Sequence, residues 1–252
     1  MSERLKDKVA LITGAGRGIG REIAVRFAQE GADLFLNATR LETLDETRRL
    51  ASVSGRWVEV YPADVADRPA VDAMVKEALQ RFGRIDILVN NAGIYRPKPF
   101  LKYTAEDFDR VMKVNVYGPF YVTQFILPSM VERRKGKVIN IASTAGKWAS
   151  MNQSAYNTSK HALVGLTRCL ALEMGQFNIN VNAICPGVVE TDMLSQLGPP
   201  SPELMTAITQ RIALRRILKP TEIASLAVYL GSDESDGMTG QSILLDGGMV
   251  FV

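Results

Sequence analysis

The sequence predicts an α/β chain built on a doubly wound, mainly parallel sheet of seven strands, and three observations lead there. Seven short apolar runs rich in β-branched residues recur along the 252 residues. Longer stretches with helical periodicity separate them, and strands alternating with helices mark βαβ units that place helices on both faces of a sheet. The runs are nearly continuous in apolar character, which suits parallel strands buried on both faces. No internal repeat stands out and no linker-like stretch divides the sequence, so residues 1–252 read as one domain. α/β folds commonly reach this length as a single unit.

The first run is KVALIT (8–13). After it, Ile19, Ile23 and Phe27 repeat every four residues, and Gly31 stands where a helix would place its C′ residue. DLFLNA (33–38) and WVEVY (57–61) are the second and third strands. Asp67 is a side-chain cap for a helix ending near Phe82-Gly83. DILVNN (86–91) follows, then one long helix over 104–130, the strand KVINIAS (137–143) and a second long helix over 154–177. INVNAIC (179–185) and SILLD (242–246) complete the set. Residues 188–219 break the rhythm, because Pro199, Pro200 and Pro202 forbid a continuous helix across their middle. An insertion at the carboxyl end of a strand is expected to act as a lid over a site.

Composition excludes several classes. Hydrophobic residues are 46% and charged residues 23%, an ordinary globular mix. A net charge of +3 is too small to indicate a nucleic-acid partner. The brief run Arg133-Arg134-Lys135 reads as a solvated helix end. Cys169 and Cys185 form no C-x-x-C pair, so neither a disulfide framework nor a metal site is expected, and a reducing cytoplasm fits. The opening MSERLKDKVA lacks an apolar signal core. The longest uncharged stretch, Val114 to Val131, is interrupted by Asn115, Gly118, Pro119, Thr123, Gln124 and Pro128, so no membrane span is expected.

The segment TGAGRGIG (13–20) leaves the first strand and opens the first helix. Gly14 permits the tight exit, Gly18 lets the backbone approach a pyrophosphate, and Gly20 allows the helix to pack closely on the strand. The helix amino terminus then offers free N–H groups and partial positive charge to phosphates. The spacing is G-x3-G-x-G rather than G-x-G-x-x-G, so the strand–turn–helix context carries the reading.

With that turn, the sequence resembles the short-chain dehydrogenase/reductase family in its short single-domain branch. The resemblance rests on Thr13, Gly14, Gly18 and Gly20, on Asn90-Asn91-Ala92-Gly93, on Asn115, on Ser143, on Tyr156 and Lys160 as Y-x-x-x-K, and on Pro186-Gly187. It spans Val9 to about Gly248 without departure among the motif residues. It implies a Rossmann-type sheet of order 3-2-1-4-5-6-7 and a catalytic set of Asn115, Ser143, Tyr156 and Lys160. It places a dinucleotide against Gly14, Arg17, Gly18, Ile19 and Gly20, against Asp64 and Val65, and against Asn91, Ala92 and Gly93. It further implies that Lys160 meets the nicotinamide ribose, and that Pro186, Gly187, Val188 and Thr191 lie by the carboxamide. The family's enoyl-reductase branch spaces its Tyr and Lys more widely, which disfavours that activity. Epimerases and dehydratases of the longer branch need sequence absent here.

The residue types suit the implied chemistry. Tyr156 and Lys160 are four apart and share one helix face. A phenol of pKa about 10 shuttles protons poorly at neutral pH, and a neighbouring ammonium is expected to draw it down by about 1–3 units. Tyr156 then gives a proton to a carbonyl or takes one from an alcohol. Ser143 ends the fifth strand, where its hydroxyl meets the substrate oxygen; alone it would read as a turn or cap residue. Within one helix the Asn115 carbonyl would accept from residue 119, but Pro119 has no N–H. That carbonyl is therefore expected to be free, and in the family it holds a water in a relay to the lysine.

Cofactor, substrate and assembly follow with less constraint. The second strand ends without an acid to repel a 2′-phosphate, since Glu42 falls in the next helix, and Arg17 and Arg40 are placed to meet one. NADP is expected, with NAD as the alternative. Tyr95, Trp148, Met151, Met193, Leu194 and Leu197 are expected to bound a pocket with no Arg or Lys in its inner wall, hence a neutral, partly hydrophobic ketone or secondary alcohol. His161 reads as a plain helix residue. Broad apolar arcs on the helices over 104–130 and 154–177 imply a homotetramer. Two rivals remain: a 3-oxoacyl thioester reductase, hinted at by Arg96, Lys98 and Lys102, and a dinucleotide-sensing protein without turnover.

Overall fold

A computed structural model describes residues 3–194 and 201–251. Seven strands form one sheet: β1 (Val9–Ile12), β2 (Asp33–Ala38), β3 (Val58–Pro62), β4 (Ile87–Asn90), β5 (Gly136–Ile141), β6 (Ile179–Pro186) and β7 (Ser242–Leu245). Their order is 3-2-1-4-5-6-7 and every pairing is parallel. Alternate residues of each strand go to opposite faces. Ala10, Ile12, Leu34, Leu36, Ile87 and Val89 enter the core on one side. Val9, Leu11, Phe35, Leu88, Val138 and Val181 enter the core on the other. Burial on both faces is the physical reason for the unbroken apolar runs.

The eight α-helices among the described residues are α1 (Gly18–Gln29), α2 (Leu41–Ser52), α3 (Arg68–Phe82), α4 (Ala105–Met112), α5 (Gly118–Arg133), α6 (Ser154–Met174), α7 (Pro202–Thr209) and α8 (Pro220–Gly231). α1 and α8 cover one face through Ile23, Phe27, Ile223 and Val228, and α3 and α5 cover the other through Met74, Val75, Val122 and Ile126. The helix stops follow the sequence signals. The Asp67 side chain accepts from the Ala70 N–H at 3.4 Å, and Gly83 ends α3 in the left-handed region at φ 72°. Gly31 does the same beyond α1 at φ 95°.

The expected helix over 104–130 is corrected: it divides into α4, one π-turn at Lys113–Tyr117, and α5. The Gly118 N–H reaches five residues back to the Lys113 carbonyl, and Pro119 supplies no donor, so the α register resets between the two helices. Arg133-Arg134-Lys135 is also not a merely solvated end. Arg133 donates to Asp86 at 2.8 Å and to the Ile85 carbonyl at 2.6 Å, and Arg134 (φ 50°) donates to the Gln176 carbonyl at 2.7 Å. The two arginines tie the end of α5 to the amino ends of β4 and β6.

The excursion after β6 has a closed base. The Leu218 N–H donates to the Val188 carbonyl and the Glu190 N–H to the Leu218 carbonyl, each at 2.9 Å. Ser201 caps α7 by accepting from the Leu204 N–H at 3.2 Å. Leu197, Pro199 and Pro200 lie outside the described residues.

Candidate active site

The carboxyl ends of the strands open into one long crevice made of two adjoining cavities, about 480 and 510 Å3, which share Ile19, Asn91, Gly93, Tyr95, Thr191 and Met193. This is the edge at which open parallel sheets take ligands.

At one end the β1–α1 turn is shaped by glycines. Gly14 adopts φ 63°, and a Cβ there would come 2.7 Å from the Ala92 Cα. A Cβ on Gly20 would stand 2.3 Å from the Gly14 carbonyl. α1 has no side-chain cap and no acid in its first turn, whereas α3, α4 and α7 are capped by Asp67, Thr104 and Ser201. Its leading N–H groups are thus open to an anion, which fits a dinucleotide pyrophosphate. Asn91 is expected beside the adenine ribose, but its amide is spent on the turn: Nδ2 donates to the carbonyls of Thr13 and Gly14, each at 3.0 Å. It lines the crevice as a brace for the glycine loop rather than as a free donor.

Beyond β2 the wall is basic. Arg17, Arg40 and Arg110 line it together with Asp64 and Val65. Arg110 pairs with Asp64 at 2.8 Å, and Arg17 pairs with Asp192 at 3.2 Å with both side chains largely in water, where such pairs are weak. Arg40 caps the start of α2, and its side chain has no partner among the described residues. Glu42 lies inside α2, as its position after the strand suggests.

The reactive-looking end lies between β5 and α6. Ser143 caps a short 3-10 turn at Thr144–Gly146, its Oγ accepting from the Ala145 N–H at 3.1 Å, and it lines the cavity with Tyr156 and Lys160. Gly146 lets that turn approach α6, since a Cβ there would meet the Lys160 carbonyl at 2.8 Å. Tyr156 is half-buried, with Tyr95 packed edge-on against its ring at 5.0 Å between centroids. Lys160 is 4% exposed; its Nζ donates to the Ile141 carbonyl at 2.8 Å and stands 5.6 Å from the Tyr156 ring centroid.

These surroundings reverse one expectation. Burial raises Tyr156 to about 12, against a smaller lowering by the Ser143 hydroxyl, and burial lowers Lys160 to about 8. In the protein alone the lysine does not draw the phenol down, because its Nζ is aimed at the Ile141 carbonyl while both groups lose water.

Asn115 is fully buried in the π-turn. Its Oδ1 accepts from the Ile94 N–H at 2.8 Å, and its Nδ2 donates to the Ile94 carbonyl and to Ser159 Oγ, each at 3.0 Å. Ser159 in turn donates to the Tyr156 carbonyl at 2.7 Å. The side chain therefore links the loop after β4 to the helix that carries Tyr156 and Lys160.

Four of the expected pocket residues, Tyr95, Trp148, Met193 and Leu194, line the cavity together with Pro186, Gly187, Val188 and Thr191. Met151 does not: it is 88% exposed and is not part of the cavity lining. Leu197 lies outside the described residues. The expectation of a wall without Arg or Lys is corrected, because Arg211 lines the cavity beside Met249, Val250 and Phe251. Those residues arrive from beyond α7 and β7, and nothing in their local pattern announces the convergence. His161 stays off the cavity, its Nδ1 2.9 Å from the Asn157 carbonyl. No cluster of three metal-ligating side chains occurs among the described residues, and no helix there is long and apolar enough to cross a membrane.

Comparison with known proteins agrees with the fold. A family model described as enoyl-(acyl carrier protein) reductase matches residues 14–250. The chain belongs to the short-chain dehydrogenase/reductase family. It is 41% identical over 248 residues to a 3-oxoacyl-[acyl-carrier-protein] reductase of Thermotoga maritima, covering 98% of this chain and 100% of that one. It is 43% identical over 254 residues to the oxidoreductase UcpA of Salmonella typhimurium, covering 97% and 95%. Among solved structures, levodione reductase superposes with a TM-score of 0.94 at 38% identity, covering 97% of this chain and 98% of that one. A short-chain type dehydrogenase/reductase from Mycobacterium marinum gives 0.93 at 33% identity, covering 98% and 97%. As a member of this family the chain is an NAD(P)-dependent oxidoreductase acting on CH–OH or C=O groups.

Proposed function

We propose that the chain interconverts a ketone and its secondary alcohol with NADP as cofactor and Tyr156 as acid and base. The observation that supports this most is the half-buried Tyr156 phenol beside Ser143, in a cavity continuous with the glycine turn. When bound, the dinucleotide supplies or removes the hydride. Ser143 donates a hydrogen bond to the substrate oxygen as charge gathers there. Tyr156 gives its proton to that oxygen, so the C=O π bond breaks, one C–H and one O–H bond form, and a phenolate is left. Lys160 stabilises the phenolate, and a water held at the Asn115 carbonyl replaces the proton. Gly14, Gly18, Ile19, Gly20, Ala92 and Gly93 cradle the dinucleotide. Arg17 and Arg40 receive the 2′-phosphate, and Asp64 and Val65 flank the adenine. The described residues of the 188–219 stretch form a lid, and the enzyme works as a cytoplasmic homotetramer.

A screen of ketones and alcohols with both nicotinamide dinucleotides, followed at the reduced-nicotinamide absorbance band, tests the reading. Turnover that survives Tyr156→Phe would remove it. The four-residue Tyr–Lys spacing favours carbonyl over enoyl reduction, despite the name of the matched family model. A 3-oxoacyl thioester substrate is the second reading, favoured by the Thermotoga relative. It draws less from the basic residues near the mouth, since Lys98 and Arg96 both turn to Asp107.

A further inference from the structure

The substrate cavity has an electrostatic asymmetry. Among the described residues no aspartate or glutamate lines it, while two cations do, Lys160 and Arg211. Lys160 is committed to the Ile141 carbonyl and to the Tyr156 neighbourhood. Arg211 has no ion pair and no side-chain hydrogen bond among the described residues, although the chain pairs many of its other arginines. Arg211 is exposed to solvent, and an unpaired guanidinium on this largely apolar wall offers anions a planar fork of donors.

Arg211 is also held in place. The Arg211 N–H donates to the Ile208 carbonyl at 3.1 Å at the end of α7. Ile212 is fully buried. The N–H groups of Ala213 and Leu214 donate to the carbonyls of Gly248 and Gly247 at 3.2 and 3.0 Å. The Asp246 carboxylate fixes that glycine turn by accepting from the N–H groups of Gly248 and Val250 at 2.9 and 2.8 Å. The far wall of the cavity is therefore one stitched unit that presents a cation on a fixed backbone. Such preorganisation is what a specificity contact requires.

We propose that Arg211 binds a carboxylate on the substrate, so that the enzyme acts on oxo-acids or hydroxy-acids whose charged group lies away from the reacting oxygen. This rests on the carbonyl/alcohol reading above and narrows it. Carboxylate is the class chosen because its two oxygens match the guanidinium fork, and because the rest of the wall (Trp148, Met249, Phe251) is suited to the apolar chain between the two ends. Arg211 takes no part in the proton transfer.

The test pairs straight-chain methyl-ketone acids of increasing length, from acetoacetate upward, each with its own methyl ester. The wild-type enzyme is expected to favour the acid of best-matched length over its ester by tenfold or more in kcat/KM. Arg211→Ala should collapse that ratio to near one, with the change carried by KM, and Arg211→Lys should restore part of it. Equal use of acid and ester by the wild type, or an acid-to-ester ratio unmoved in Arg211→Ala, overturns the proposal. Calorimetric titration of the same acid and ester into wild-type and Arg211→Ala protein gives a second readout that needs no turnover. Tighter binding of the acid, lost in the variant, supports the anion site even where Tyr156→Phe shows the catalytic reading to be wrong. Equal binding of acid and ester removes the anion site even where the catalytic reading holds.

Discussion

Lys160 stands 5.6 Å from the centroid of the Tyr156 ring yet gives its ammonium to the Ile141 carbonyl at 2.8 Å. Burial then dominates both groups, raising Tyr156 to about 12 and lowering Lys160 to about 8. A raised phenol stays protonated and ready to donate. Carbonyl reduction is therefore expected to remain flat through neutral pH and to fall first as Lys160 loses its proton above about 8. Alcohol oxidation needs the phenolate and should rise with pH. The oxidised nicotinamide ring is cationic, so the rise should begin well below the phenol's ionisation in the protein alone. Rate profiles in both directions, with an absorbance titration of the free protein at the phenolate band, check this. A single pKa common to all three measurements would contradict it.

The lysine makes a separate prediction about stability. Its folded pKa of about 8 lies below the ordinary 10.5, so the native state carries the cost of a buried charge at low pH. Between these two values the unfolded chain binds more protons, and stability rises with pH. Lys160→Met removes the charge and fills similar space. It should stabilise the fold by about 1 kcal/mol or more at pH 7 while abolishing activity, and that gain should shrink as pH climbs from about 8 toward 10.5. Denaturant unfolding of both proteins across this range provides the measurement. A constant difference would mean that Lys160 does not titrate in the window.

Tyr156→Phe keeps the ring and its edge-on contact with Tyr95 while deleting the proton. The expected result is a fall in kcat of about 100- to 10,000-fold with dinucleotide affinity nearly unchanged. Steady-state kinetics paired with calorimetric titration of the cofactor separates the two quantities. A matching loss in cofactor affinity would make the residue a packing element instead.

Much of this was legible before the structure, and the reasons are local. The glycine turn, the Asp67 cap and the Tyr156–Lys160 spacing are short-range patterns, each set by the backbone within a few residues. The two-faced burial of the sheet shows in the unbroken apolar runs for the same reason. What escaped depends on long-range arrangement. The aim of Lys160 at Ile141 depends on a strand 19 residues earlier. Asn91 is consumed by Thr13 and Gly14, 78 and 77 residues away in sequence. Arg211 enters the cavity wall because Gly247 and Gly248 hold its segment there, a pairing no local pattern encodes. The reset between α4 and α5 was half visible, since Pro119 announces a missing donor but not the π-turn that absorbs it.

The basic wall beyond β2 bears on cofactor choice. The Arg40 side chain has no partner among the described residues, and Arg17 holds Asp192 only through a solvent-exposed pair that a phosphate would readily outcompete. A 2′-phosphate would gain charge-assisted bonds from both. Arg40→Asp reverses the sign at the end of β2. It should lower kcat/KM with NADP at least tenfold while leaving or improving NAD. An unchanged ratio of the two cofactors would show that Arg40 faces solvent only.

Asn115 joins three elements through one buried amide: the loop at Ile94, the π-turn, and Ser159 on α6. Removing it leaves the N–H and carbonyl of half-buried Ile94 without that partner, and a buried group left unpaired costs about 1–3 kcal/mol. Asn115→Ala is therefore expected to destabilise the fold by about 3 kcal/mol or more. Ser159→Ala removes one bond and leaves Nδ2 its Ile94 partner, so about 1 kcal/mol is expected. The two effects should couple, because the variants share the same hydrogen bond, and the double variant should cost less than the two singles together. Ser159 also holds the Tyr156 carbonyl, so its loss should reduce kcat more than KM without moving the pKa of the rate profile. Additive stabilities in a double-mutant cycle, or an Asn115→Ala cost near that of a surface change, would show that the loop and α6 are held together by apolar packing rather than by this amide.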